Sequence, residues 1–425
     1  MASRELILTF LGTGAMKPAF RRGTSALGLT IPTIRGTENW LFDCGEGTFR
    51  QMCIFNRQAN HRVINSEDQS KLNGIRFGCN KLNRLFISHL HGDHIFGLPS
   101  VILGVSFERD PELNESSPID IYGPSGLAEY LSTVFRVCES RISCKLNIHE
   151  LCQWNQPSSY ISSSDPNYSH LSVQPIYPNG DRIWCCIDEE FGTVKAGTVS
   201  HNITTFGFSY QEKDQPGNLN ASCVLPLLKR NEEGLQQMGL SIYEVIHRFK
   251  KGEEFVLPDS TVLSPSNTLY LSPMKKGRHV SFLGDNRSAR RISNLIYGSD
   301  ILVHEATIGP IPDDVVPKEG LIGSQSSNQN SKELRALEKS VHSKGHSTAV
   351  EAARFARELG VKTLVLNHIS NRYDFLDEKH YNEAVDSIRS IAIKEFGSSQ
   401  VYVPHDFDSV VLDGIKRQLS LCHVC

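Results

Sequence analysis

The chain has 425 residues, 39% of them hydrophobic, with 20 Phe and 12 Tyr, which is enough apolar material for one large α/β core or two smaller ones. A formal net charge of -3 excludes the global basic field of a general nucleic-acid binder, so any polyanion must be recognised locally. No 18-residue apolar run occurs, the 11 cysteines lack the dense spacing of a disulfide framework, and "MASRELILTFLGTG" passes straight into a strand-like segment. These features predict a cytoplasmic or nuclear protein with reduced thiols and no membrane association.

In chain order, four short apolar, β-prone runs end in residues able to bind metal or move a proton: "RLFISH" (84 to 89), "VSFLGD" (280 to 285), "DILVHE" (300 to 305) and "KTLVLNH" (362 to 368). They predict strands buried on both faces, with their polar ends at the crevice where α/β sheets bind ligands. One shared site is the economical expectation. Between the last two lies "HSTAVEAARFARELG" (346 to 360). There Thr348 and Glu351 have capping-box spacing, Ala349, Ala352, Ala353, Ala356 and Leu359 form an apolar stripe, and Gly360 suits a C-terminal stop. The pattern predicts a helix that delivers His346 at its N-terminal approach. Stretches 61–80, 156–180 and 309–333 read as loops, the last disordered and extending as an insertion to residue 343. The terminal "CHVC" (422 to 425) lacks a second ligand pair and reads as incidental thiols.

In "LFISHLHGDHIFGLP" (85 to 99), His89, His91, Asp93 and His94 form the pattern H-x-H-x-D-H, and Gly92 frees the backbone to turn tightly. Alternation along the loop lets His89 and His91 face one metal while Asp93 and His94 face another. Imidazole and carboxylate donors suit Zn²⁺, with Mn²⁺ or Fe²⁺ also compatible. Completing two sites needs distant donors, and the strand-end residues to choose are His201, Asp285 and His368.

At this point the sequence resembles the metallo-β-lactamase superfamily and, within it, the short form of tRNase Z, the endonuclease that trims tRNA 3′ trailers. The resemblance rests on "LTFLGTGAMKP" (8 to 18), "LFDCGEGTFRQ" (41 to 51), "ISHLHGDHIFGLP" (87 to 99), "IYGPSGL" (121 to 127), "SHNITTFGF" (200 to 208), "LGDNR" (283 to 287), "HEAT" (304 to 307), "GHSTAVEAARFA" (345 to 356) and "LNHISNRY" (366 to 373), which occur in family order. It implies an α/β fold, the αββα metallo-β-lactamase sandwich of two mixed β-sheets flanked by helices, as a single nuclease domain over 1–425. It further implies two Zn²⁺ per subunit, one on His89, His91 and His201, the other on Asp93, His94 and His368, with Asp285 bridging and Asp43 orienting ligands from behind. Precursor tRNA as partner, a homodimer and a tRNA-binding arm follow in the same way. The arm is placed at 152–188, a segment whose stretch from Trp154 to Cys186 carries one basic residue, Arg182.

Two-metal hydrolysis of a phosphodiester needs a base beside the water and an acid for the departing 3′ oxygen. Asp93 is the expected base. His346 is the expected acid, held and charged by Glu305 as a carboxylate holds a catalytic imidazole; the matching residues of the "HEAT" and "HST" blocks have this role in tRNase Z. His342, four residues earlier, ranks below it. Arg287, Arg290 and Arg291 are candidates to grip phosphates, with a solvated, salt-bridged face as the other reading. Two rival functions remain at this stage: a metallophosphodiesterase of the same fold, and a catalytically inactive RNA-binding protein.

Overall fold

The computed structural model describes residues 5–33, 36–65, 75–154, 170–308, 330–413 and 419–422. Its strands are β1 (Leu6–Gly12), β2 (Ala26–Thr33), β3 (Gly36–Phe42), β4 (Leu82–Phe86), β5 (Ile119–Pro124), β6 (Leu146–Leu151), β7 (Leu171–Ile176), β8 (Ile183–Glu189), β9 (Gly192–Val199), β10 (Thr205–Glu212), β11 (Phe255–Val256), β12 (Val262–Leu263), β13 (His279–Leu283), β14 (Ile301–Glu305), β15 (Thr363–Asn367), β16 (Val401–Tyr402), β17 (Ser409–Leu412) and β18 (Leu419–Cys422). A nine-stranded sheet runs β18-β17-β1-β2-β3-β4-β5-β6-β7 and a seven-stranded sheet runs β16-β15-β14-β13-β10-β9-β8. Both are mixed. From β3 to β7 and from β13 to β16 the neighbours are parallel, whereas β1, β2, β3 and β17 pair antiparallel. The four runs picked out above are β4, β13, β14 and β15, and the last three lie in register through Phe282, Val303 and Val365.

Three apolar clusters define four layers. Side chains of both sheets, among them Trp40, Phe86, Phe208 and Val303, pack together in the middle, where the Phe42 ring stacks on Phe86 at 4.7 Å and on Phe282 at 3.9 Å. On the outer face of the first sheet, Met52, Leu98, Val101 and Leu131 come from helices Thr48–Asn65, Leu98–Glu108 and Leu127–Val137. On the outer face of the second, Ala352, Ala356, Tyr381 and Ile388 come from helices Ala349–Glu358 and Glu378–Phe396. This is the expected αββα sandwich. The capping box is present at Thr348 and Glu351, and Gly360 ends that helix with φ of 62°.

Segments read as loops hold more regular structure than expected. The insertion expected to end at residue 343 closes in the helix Asn330–Ser343, where Leu334, Leu337 and Val341 give helical spacing behind a polar stretch; 309–329 lie outside the described residues. The expected arm 152–188 contributes β7 and β8, both at sheet edges, where Pro175 is tolerated because an edge strand can spare an N–H; 155–169 are not described. Residues Gln211–Arg278 form a compact unit of their own, which composition alone does not signal. Its helices Ala221–Arg230, Glu232–Gln237 and Ile242–Lys250 and its hairpin β11/β12 share a small core around Val224, Leu228, Phe249 and Leu263.

Candidate metal centre

The residues of the centre meet because most of them sit at or just beyond the carboxyl ends of strands. Asp43 directly follows β3, His89 lies just beyond β4, Asp285 just beyond β13, Glu305 closes β14 and His368 directly follows β15. Asp43 and His368 turn the chain with φ of 57° and 56°, a left-handed conformation that Asp and His adopt more readily than most residues. The loops after β3 and β4 are locked together: Cys44 N–H donates to His94 O at 2.7 Å, and Gly97 N–H donates to Cys44 O at 2.9 Å. A Cβ on Gly97 would stand 1.9 Å from Gly45 O, so only glycine allows this approach.

Four of the five histidines expected as ligands are aimed by an oxygen behind them. His94 donates Nδ1–H to Asp43 Oδ2 at 2.7 Å, and His201 donates Nδ1–H to the carbonyl of Gly345 at 2.7 Å. The Ser88 hydroxyl gives its one proton to Asp43 Oδ2 at 2.8 Å, so at 2.9 Å it can only accept from His89 Nδ1. The Thr307 hydroxyl gives its proton to Glu305 Oε2 at 2.5 Å, so at 3.2 Å it accepts from His368 Nδ1. All four rings therefore turn Nε2 inward.

The inward atoms form two groups. His91 Nδ1 lies 3.0 Å from His89 Nε2 and 3.3 Å from His201 Nε2. Asp285 Oδ1 lies 3.5 Å from His94 Nε2 and 3.3 Å from His368 Nε2, while Asp93 Oδ2 is 3.7 and 3.4 Å from the same two nitrogens. Asp285 Oδ2 faces the first group, 3.8 Å from His89 Nε2. Nitrogens held tetrahedrally by Zn²⁺ at ~2.0–2.1 Å stand about 3.3 Å apart, close to these spacings. His94 Nε2 is buried and makes no hydrogen bond. Lone pairs converging without enough protons, and a buried nitrogen left over, fit a divalent metal.

Electrostatics point the same way. Burial above all pulls His89 well below its ordinary value and lowers His91 and His201, which leaves them as neutral donors. Burial also opposes charge on His94, but Asp285 and Asp43 raise it well above the usual imidazole range. Burial would raise Asp93, yet the hydrogen bond to His368 and the charge of His94 hold it well below the carboxylate range; His368 and His94 do the same for Asp285 against its burial. The pocket thus keeps ionised carboxylates and calls for positive charge.

Beside this pair of groups, His346 Nδ1 lies 3.1 Å from Glu305 Oε2 and 3.6 Å from Asp285 Oδ2. Burial opposes its protonation, but the Glu305 hydrogen bond and the charges of Glu305 and Asp285 lift His346 to about 9. Glu305 is itself held by Thr307 and by Asn286 N–H. His342 turns instead to Glu351, 2.5 Å away. The arginines are placed differently from the histidines. Arg287 donates to the carbonyls of His342 and His201, Arg290 pairs with Glu358 at 2.9 Å, and Arg291 is exposed. Arg287 is thus spent on tying loops around the centre. Ser88, Thr307 and the Gly345 carbonyl, which aim the rings, were not singled out from sequence; the only signal for them was adjacency to the motifs.

A four-layer sandwich with clustered His and Asp at its strand ends defines a metallo-β-lactamase-fold protein. No family model matches the chain. It is 31% identical over 367 residues to the ribonuclease Z of Listeria monocytogenes, covering 86% of this chain and 89% of that protein, and 30% identical over 366 residues to the ribonuclease Z of Bacillus velezensis, covering 86% and 88%. The crystal structure of human tRNase Z, short form, shares the fold with a TM-score of 0.52 at 24% identity, over 95% of this chain and 98% of that one. The chain belongs to the ribonuclease Z family.

Proposed function

We propose that the protein is an endoribonuclease that removes the 3′ trailer from precursor tRNA by hydrolysing one phosphodiester bond, using two Zn²⁺ per subunit, with Mn²⁺ as an alternative. The observation that carries this reading is the Glu305–His346 pair, 3.1 Å apart and next to both donor groups, in a member of the ribonuclease Z family. His89, His91 and His201 would hold one ion and Asp93, His94 and His368 the other, with Asp285 reaching both. Bound there, the ions would supply an acidified water and charge stabilisation for the attacking and leaving oxygens.

The chain's own groups do the rest. Asp93, kept ionised and fixed by Met16 N–H at 2.7 Å, takes the proton of the attacking water. His346, charged at neutral pH, holds Nδ1–H on Glu305 and offers its other nitrogen's proton to the departing 3′ oxygen. A good leaving group such as nitrophenolate needs this proton far less than a ribose 3′ oxygen does, which favours RNA over a small activated diester. The role of holding the tRNA body falls better to the unit Gln211–Arg278 than to 152–188. The former is compact with its own core, whereas the described part of the latter is committed to sheet edges. A homodimer and a cytoplasmic or nuclear location complete the proposal; among the described residues no helix is long and apolar enough to cross a membrane.

The test is to incubate metal-loaded protein with precursor tRNA and with CCA-ended tRNA and map the cut and its end groups. A single cut leaving a 3′ hydroxyl on the tRNA is expected. Turnover of bis(p-nitrophenyl)phosphate without cleavage of precursor tRNA would leave a general phosphodiesterase, and binding without any hydrolysis an inactive RNA-binding protein.

A further inference from the structure

Two loops beside the centre are joined into one rim. Gly14 bridges to both Thr24 and Ile369, Ala15 N–H donates to Ile369 O at 3.0 Å, and the N–H groups of Phe20 and Arg21 both donate to the Asp374 carboxylate at 2.9 Å. The Arg21 guanidinium reaches Leu376 O at 3.0 Å and lies 4.7 Å over the Tyr381 ring. The rim begins at the catalytic groups, because Met16 N–H is the one that holds Asp93, and Ile369 follows His368 in the chain. It ends in two aromatic side chains left in water, Phe20 at 92% exposure and Phe375 at 87%, with Lys17 and Arg372 exposed beside them. Phe20 is four residues from Met16, so even a fully extended chain keeps their Cα atoms within about 14 Å.

A lone exposed phenylalanine needs no explanation. Two of them, on loops whose backbones are pinned to each other and to the catalytic carboxylate, can neither fold inward nor drift away. Every nucleobase has a π face, and unpaired bases stack on such rings while nearby cations take the phosphates. The acidic residue of the rim, Asp374, already accepts two N–H groups, which softens its repulsion of a polyanion.

We propose that Phe20 and Phe375 form a stacking rim for the unpaired ribonucleotides that flank the scissile phosphate, with Lys17 and Arg372 on their backbone. The proposal rests on the ribonuclease reading and specifies which part of the RNA this face holds. Two experiments test it. In the metal-loaded Phe20→Trp protein, a short single-stranded oligoribonucleotide quenches the fluorescence of the added indole, and a duplex of the same sequence quenches it less; an indole indifferent to the single strand overturns the rim. In the double variant Phe20→Ala, Phe375→Ala, kcat/KM for precursor tRNA falls roughly ten-fold or more relative to that for bis(p-nitrophenyl)phosphate, the change lying in KM. An unaltered ratio also overturns it. Should the parent protein turn over the small diester and leave precursor tRNA uncut, the ribonuclease reading fails, while the quenching still judges the rim by itself.

Discussion

At the scale of single residues, position in the proton and charge economy separates groups that look alike in the sequence. Asp93→Ala or His91→Ala removes an inward donor and is expected to abolish cleavage while circular dichroism stays native; wild-type turnover in either variant would defeat the two-metal reading. His346→Ala is expected to lower kcat on precursor tRNA by roughly 10²–10⁴-fold with metal content unchanged, as measured by elemental analysis. The sign of its pH dependence follows from the shift. His346 is raised to about 9, so its donor form is full at neutral pH and is lost as pH climbs through that value. The parent enzyme should show an alkaline fall in kcat, and His346→Ala should not. The ligand motif was legible because four donors stand within six residues. Ser88 and Thr307 were not, because a hydroxyl acquires direction only when a folded-state carboxylate takes its proton, Asp43 after the neighbouring strand for Ser88 and Glu305 at the end of β14 for Thr307.

Among the elements, the helix Ala349–Glu358 shows how local chemistry sets a distant distance. Its capping box fixes the chain just after His346, so Thr348→Ala is expected to cost about 1 kcal/mol by urea denaturation and to loosen His346 from Glu305. A variant with full stability and full kcat would show that the cap has no part in placing the acid. The paired loops after β3 and β4 offer a sharper case, since Gly97→Ala forces a Cβ against the Gly45 carbonyl and should weaken metal binding through Asp93 and His94. Strand ends and this helix could be read from periodicity and capping signals. The strands β7 and β8 could not, because Ser, Pro and Asn dominate the stretch that leads into them and mask their pattern.

For the whole molecule, stability should depend on metal and on pH in defined directions. An ion that binds only the folded chain adds stability as the logarithm of its excess over Kd, so chelation is expected to lower Tm and readdition to restore it. Burial lowers His279 and His304 below the ordinary imidazole value. For such groups the unfolded chain binds protons more readily, so their contribution is intact above the unfolded pKa of about 6.5 and is lost as pH falls below it. Acid titration of Tm in the chelated protein checks this, and no loss below pH 6.5 would refute it. The convergence of buried strands on one site was legible from four strand ends that share one chemistry, and the layered architecture from the resemblance those motifs carry. The unit Gln211–Arg278 was not, because its ordinary mixture of charged and apolar residues resembles any other helical stretch until its separate core is seen.

The donors of the centre are drawn from both sheets and from positions as far apart as His89 and His368. A chain still emerging from the ribosome has its histidine motif long before it has β15. It therefore holds no complete site while surrounded by the RNAs of translation, and becomes able to cut only after its last parallel strands have docked.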